Sequence, residues 1–298
     1  MSNPRSKFAT LTRCKMAVDS LAELTEETDF TNAESEALYI DAVKDAELLF
    51  DSAYQRFPDD PEIYATEARL RDLLEQNGKA ITALENAWKK KPKGHGVSIR
   101  LAKAYLKREQ AGKAITIISE GLERFPDEKQ LHYEMAKLLL QATPTETKKA
   151  ELHLGMSYSF NDANYDSRHL HAQLLFKLGK LPEAAELFKE VDENAPKDFR
   201  RNAAGHTLIS KTLPTYTGTV SKNLQSFFFI TSPAYPKEIY GNAQKLPPGL
   251  IDSLTTGKKV AFTMTFNRTG PVIHEISILD AELEPTETSR APDLFEAG

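Results

Sequence analysis

Ahead of four prolines in this chain, Pro58, Pro92, Pro126 and Pro196, small and apolar residues stand at the same distances. Counting back five, eight and twelve residues gives Ala53, Phe50 and Ala46, then Ala87, Leu84 and Ala80, then Gly121, Ile118 and Ala114. Before Pro196 the slots hold Val191, Phe188 and Ala184, so only the small position is enlarged. These spacings put one bulky and two small side chains on a single helix face. The small residues let two backbones approach, the bulky one fills the groove beside them, and proline ends the helix because it has no N–H to donate. The first three prolines lie 34 residues apart and the last interval is 70, two such periods plus two residues. A period of that length predicts a stack of helix pairs.

The helices that would precede each of these carry their own slots. Leu101, Ala102 and Tyr105 form one bulky, small and aromatic set, followed by Met135, Ala136 and Leu139 and by His171, Ala172 and Leu175. Over residues 40–197 the chain resembles the tetratricopeptide repeat family, and Leu178-Gly179-Lys180-Leu181-Pro182-Glu183-Ala184-Ala185 is similar to that family's turn into its second helix. One unit departs. Between Pro126 and Pro196 the slots hold Ala150, Leu154 and Ser157, displaced by two residues, after a longer turn at Ala142-Thr143-Pro144-Thr145.

Repeats cannot bury their end faces alone, and upstream residues supply a cap. Phe8, Leu11, Val18, Leu21 and Leu24 fit one helical face, and Thr31-Asn32-Ala33-Glu34 has the form of a capping box that starts the run ending at Phe57. Downstream, Asp198 to Lys211 predicts one more helix, with Phe199, Ala203 and Leu208 facing the stack.

From Thr217 the helical period gives way to short runs rich in β-branched and aromatic residues. Gly218–Ser221, Phe227–Thr231, Glu238–Asn242, Val260–Phe266 and Val272–Leu279 predict five strands, with no helical pattern long enough for a crossover. That combination points to a small antiparallel barrel. The order Gly218-Thr219-Val220, Ser226-Phe227-Phe228-Phe229-Ile230, Glu238-Ile239-Tyr240-Gly241-Asn242, then Gly270-Pro271-Val272-Ile273, resembles a cold-shock domain, a form of the oligonucleotide-binding (OB) fold. The resemblance has gaps. Phe228 replaces a glycine, Gln225 a lysine and Asn242 a histidine of the family pattern, and the first-strand tryptophan is absent.

The fold class expected is therefore an all-α tetratricopeptide-repeat solenoid followed by a small all-β barrel of OB-fold, cold-shock-like type. The domains are residues 1–212 with cap helices at the start, 215–280, and an acidic disordered tail over 281–298.

Such a barrel offers base stacking. Alternate strand residues share a face, so Phe227 and Phe229 can lie outside with Tyr240, in which case Phe228 points inward; a different register would bury the outer pair instead. Lys222 and Asn242 complete this candidate nucleic-acid site, and the resemblance implies single-stranded RNA or DNA as its ligand. Residues 211–280 carry seven basic and four acidic side chains, net +3, while residues 1–210 and 281–298 are each net −4. A mildly basic barrel suits a few phosphate contacts, but not strong non-specific binding. The tail could compete for the barrel's lysines.

In the repeat family the first helix of each pair lines a concave groove, and the resemblance places Arg69, Lys103 and Lys137 there, followed by Gln173. Lys107 and Lys177 fall four residues beyond their slots. Basic residues at repeat spacing suit an acidic peptide or a phosphate backbone, although lysines on helices are also ordinary solvated surface.

Composition removes other classes. The chain has 298 residues and a single cysteine, Cys14, so an internal disulfide is impossible and a thiolate metal cluster implausible. Its start lacks the apolar core of a signal peptide and no run reaches 18 apolar residues, so a cytoplasmic protein without membrane association is expected. Phosphate-loop, nucleophile-elbow and His-Glu-x-x-His motifs are missing. His169 and His171, two apart on a helix, point about 200° from each other and cannot share a metal. The reading is a non-enzymatic adaptor with no catalytic residues, metal or cofactor, binding a protein through the array and nucleic acid through the barrel. Its alternatives are a regulatory or sensor subunit of a larger bacterial effector whose catalysis lies elsewhere, or a scaffold that docks only proteins.

Overall fold

The computed structural model describes residues 4–28, 31–143, 145–196, 213–267 and 270–279. The helix expected over 198–211 and the acidic segment 281–298 lie outside the described residues. By its contacts the chain forms two compact units, residues 1–138 and 139–298.

The first unit is helical throughout: α1 (Pro4–Glu27), α2 (Ala33–Arg56), α3 (Pro61–Leu73), α4 (Asn77–Lys89), α5 (Gly96–Leu106), α6 (Ala111–Arg124) and the start of α7 (Lys129–Ala142). Local chemistry sets the helix starts. Asn32, rather than Thr31, caps α2 by accepting from the Glu34 and Ser35 amides. Asp60 caps α3 by accepting from Glu62 at 3.0 Å, with Pro61 in the first helical turn where a missing N–H costs nothing. Every slot read from the period is buried in this unit: Ala46, Phe50 and Ala53, Ala80, Leu84 and Ala87, Ala114, Ile118 and Gly121. Gly121 shows why its slot is small. A Cβ there would meet Ser98 Oγ at 3.0 Å and a Leu131 methyl at 3.3 Å. Cys14, Val18 and Leu21 of α1 join the α2–α3 core, and Lys7 reaches the Asp60 carboxylate at 2.8 Å. Phe8, expected on that face, is 73% exposed.

The second unit holds α8 (Thr147–Met156), α9 (Tyr165–Lys177), α10 (Leu181–Asn194) and five strands: β1 (Thr215–Asn223), β2 (Phe227–Ser232), β3 (Tyr235–Asn242), β4 (Lys259–Asn267) and β5 (Gly270–Ile278). Displaced as they are in sequence, Ala150, Leu154 and Ser157 still reach the interior. The strands close into a barrel in the order β1-β2-β3-β5-β4. Neighbours run antiparallel except β3 and β5, which are parallel and meet at Tyr240 and Val272. This is the strand order of an OB-fold-like domain. The five strands sit where the residue pattern put them, each lengthened by one to five residues.

Pairing directions place the starts of β1, β3 and β5 and the ends of β2 and β4 at one mouth of the barrel. The α9–α10 hairpin fills that mouth. Phe176 lies 5.2 Å from the Phe266 ring and 5.9 Å from Tyr235, and Phe188 stacks on Phe266 at 5.7 Å. His169 Nε2 lies 2.6 Å from the Asn267 carbonyl oxygen, which it can only approach as a donor, leaving Nδ1 to accept from Gln173 at 2.9 Å. Consequently α9 is buried on nearly every side, including Arg168, whose guanidinium donates to the Asp162 carbonyl at 2.8 Å and forms an ion pair with the Glu190 carboxylate at 2.9 Å. At the opposite mouth a 3-10 turn, Ala243–Lys245, leads to a short helix α11 (Leu250–Ser253). Asn223 Nδ2 ties β1 to that segment through the Ile251 carbonyl at 2.7 Å, while Leu254 enters the core.

Candidate functional site

Phe228, the middle of three consecutive phenylalanines, is fully buried, and the two on either side therefore face outward. Gly241 accommodates it from the paired strand, since Phe228 and Gly241 are register partners. Phe229 pairs with Tyr240 and Phe227 with Asn242. On this outer face the ring centroids are 5.8 Å apart for Phe227 and Phe229, 5.9 Å for Phe227 and Tyr240, and 6.0 Å for Phe229 and Tyr240. Tyr240 is 38% exposed and the two phenylalanines are half-buried.

Lys222 stands beside them, its ammonium 5.8 Å from the Phe229 centroid and 3.1 Å from the Glu238 carboxylate. The Ser221 hydroxyl and then the Lys222 ammonium hold the Glu238 carboxyl below the usual carboxylate range. Asn242 is already used: its side-chain oxygen accepts from the Gln244 amide at 2.9 Å and caps the 3-10 turn. Four of the five residues in this set thus share one face, and the fifth shapes its edge. Chemically, the face offers three ring surfaces and one cation.

A cleft of about 430 Å³ adjoins Tyr240 between α10 and the β3–β5 edge. Lys189 and Lys237 line it together with Asp192, Glu193 and Glu238, so its charges are mixed. The residue pattern gave no sign of this cleft, because nothing in it joins α10 to β3.

The basic residues of the first unit are placed differently from the rings. Arg69 bonds Asp19 of α1 at 2.8 Å. Lys103 of α5 and Lys137 of α7, one repeat apart, converge on opposite oxygens of Glu134 at 3.1 and 3.2 Å. Glu134 itself is buried, whereas both lysines remain about half exposed. Two cations around one carboxylate leave a net positive point. Lys107 is exposed at the end of α5. In the second unit Lys177 is exposed in the last turn of α9, but Gln173, expected in a groove, is buried against His169 because the barrel covers this side of the helix.

His169 and His171 have separate surroundings. Whereas His169 faces β4, His171 Nδ1 lies 2.7 Å from the Tyr158 hydroxyl. Burial pushes the His171 pKa down and that of Tyr158 up to about 12.

The helical array, with its paired helices, registered slots and 34-residue period, defines a helical-repeat scaffold joined to a five-stranded barrel. Residues 73–138 match the family model described as tetratricopeptide repeat. No curated protein matches the chain. Solved structures similar to it include TTC0263, a thermophilic TPR protein of Thermus thermophilus, at 24% identity, covering 55% of this chain and 88% of that one with a TM-score of 0.39. Another is pilF of Pseudomonas aeruginosa, at 14% identity, 63% and 80% coverage and a TM-score of 0.44. A third, YrrB, is described as a TPR protein with an unusual peptide-binding site, at 12% identity, 59% and 93% coverage and a TM-score of 0.42. A tetratricopeptide array is suited to binding a protein partner. Among the described residues no helix is long and apolar enough to cross a membrane.

Proposed function

We propose that this protein is a non-enzymatic adaptor whose repeat array holds a protein partner and whose barrel binds single-stranded RNA or DNA. The observation that carries the nucleic-acid half is the outward cluster of Phe227, Phe229 and Tyr240, with every pair of ring centroids within about 6 Å. Each base stacked on an aromatic ring contributes roughly 1–3 kcal/mol, so three rings support binding with few ionic contacts. Stacking tolerates any base, which favours a ligand recognised by its single-strandedness rather than by its sequence.

For the array, the supporting geometry is the convergence of Lys103 and Lys137. Their shared carboxylate fixes both ammonium groups near one point, and an acidic side chain of a bound peptide would meet a preset pair of donors rather than two mobile lysines. The partner class is therefore an acidic peptide segment.

Anisotropy of a labelled dT12 oligonucleotide titrated with the full chain tests the barrel half. Saturable binding that a single-stranded competitor displaces and a duplex does not is expected. Retention of no oligonucleotide even at low salt would leave the barrel as a protein-docking module.

A further inference from the structure

A single row of residues crosses the outer surface of the barrel. Lys222 pairs with Phe229, Phe229 with Tyr240 and Tyr240 with Val272, so these four lie side by side on β1, β2, β3 and β5. Neighbouring strands are about 4.8 Å apart, and the row therefore spans about 14 Å. A nucleic-acid strand that crosses the sheet along it passes a cation and then the rings. At Tyr240 and Val272 it arrives at the cleft that α10 forms with the β3–β5 edge.

The cleft differs in chemistry from the ring face. Its volume of about 430 Å³ falls within the range of about 300–1,000 Å³ that small-ligand sites occupy, room enough for one nucleotide. Three carboxylates, Asp192, Glu193 and Glu238, and two lysines, Lys189 and Lys237, line it. A bare phosphate would meet more negative charge than positive, which argues for a base instead. Two of these charges are already committed: Lys237 donates to the Ala185 carbonyl at 3.4 Å, and Glu238 accepts from Lys222 at 3.1 Å. On α10, Lys189 Nζ and Glu193 Oε1 stand 4.0 Å apart, with side chains 50% and 60% exposed. That separation is too long for a hydrogen bond, so an ammonium and a carboxylate stand open to a ligand side by side. Pro271 and Val272 supply an apolar wall and Tyr240 a ring.

We propose that this cleft receives a guanine base of the strand held on the rings, read by Lys189 and Glu193. The inference rests on the single-strand reading of the ring face and adds to it a sequence preference at one position. Guanine is the base whose edge fits such a pair. Its N1–H and N2–H donors are adjacent and suit the two oxygens of a carboxylate, while O6 beside them accepts from an ammonium. Adenine and cytosine each present one amino group next to an acceptor nitrogen, and thymine a lone N3–H between two carbonyls. Each of these leaves one carboxylate oxygen without a donor, and an unmet charged partner is costly where the base shuts out water. The rings thus supply affinity for any single strand, and the cleft selects which base stands beside Tyr240.

The test is the anisotropy of four labelled probes titrated with the full chain: dT12, and dT12 with guanine, inosine or cytosine at its sixth position. Guanine is expected to tighten binding about tenfold over dT12 and cytosine by less than about twofold. Inosine keeps the purine rings but lacks the N2 amino group, and should fall between guanine and dT12. In the double variant Lys189→Gln with Glu193→Gln, checked for an unchanged circular dichroism melt, the ratio of guanine-probe to dT12 affinity should fall to about one. Equal affinities of the unmodified chain for dT12 and the guanine probe would overturn the cleft assignment and leave the ring face standing. A guanine preference that persists in the double variant, or inosine bound as tightly as guanine, would trace the preference to stacking and overturn it as well. Binding of no probe would remove both the ring face and the cleft from the function.

Discussion

The ring of Phe228 occupies the space in which Gly241 would carry a side chain: a Cβ at 241 would stand 2.2 Å from Cζ of that ring. Because the two residues are register partners on β2 and β3, the pair fixes which phenylalanines face inward. Gly241→Ala has to displace a fully buried ring, and overpacking of this kind costs about 1–3 kcal/mol or more. The expected outcome is a lower unfolding midpoint for the second unit, with the first unit unchanged. Circular dichroism melts, followed at helix and strand wavelengths, check it.

A related expectation concerns where the chain can be cut. Phe176 and Phe188 share one core with Tyr235, Phe262 and Phe266 of the barrel, so a fragment ending at residue 212 leaves these helix residues bare. That fragment should bind a hydrophobic dye and self-associate on size exclusion, while Phe188→Ala in the full chain should cost about 3–5 kcal/mol. A monodisperse, dye-silent fragment would show that the helical part and the barrel are separate folding units.

Acidification offers a third check. His171 is held neutral by burial, its Nδ1 beside the Tyr158 hydroxyl and its Nε2 buried with no partner among the described residues. When unfolded it takes a proton near the ordinary imidazole value of 6.5; folded, it resists to lower pH. Stability is therefore complete above pH 6.5, and it falls as pH drops through that value until the folded imidazole also protonates. His171→Phe should flatten this part of the stability–pH curve, measured by urea unfolding between about pH 5 and 8.

Lys103 and Lys137 share Glu134, so reversing both charges would crowd three carboxylates together. Neutral substitution is cleaner. Lys103→Gln with Lys137→Gln should keep the helical circular dichroism, at a stability cost of about 1–3 kcal/mol because the buried Glu134 carboxylate loses its charged partners. Capture of a glutamate-rich peptide should weaken several-fold, with the difference shrinking as salt is raised. Surface plasmon resonance at two ionic strengths checks this.

Much of the architecture was legible because it repeats. The period put alanine, glycine and bulky residues into slots that are buried in all four registered copies, and one displaced copy, Ala150 with Leu154, was found by its shift. The strands were legible from β-branched and aromatic runs, and Gly241 from its place beside Tyr240. Alternation alone could not choose the face of Phe228, since Phe-Phe-Phe has no polar residue to mark the outside. The choice depends on Gly241 across the strand pair, a non-local contact. For the same reason the burial of α9 was hidden: Gln173 read as a groove residue, whereas it donates to His169, whose other nitrogen bonds Asn267 about a hundred positions away. Phe8 fitted a helical face but points to solvent, although Lys7 before it reaches Asp60 and Thr10 after it is buried.

The most direct measurement is dT12 affinity of the full chain carrying Phe227→Ala, Phe229→Ala and Tyr240→Ala together, alongside its circular dichroism. The account predicts an unchanged spectrum, because these rings lie outside a core that Phe228, Ile230 and Ile239 fill, and affinity lowered by at least about a hundredfold, from roughly 1–3 kcal/mol per ring. Affinity unchanged in a folded triple variant, or a barrel that unfolds when the three rings are removed, would contradict it.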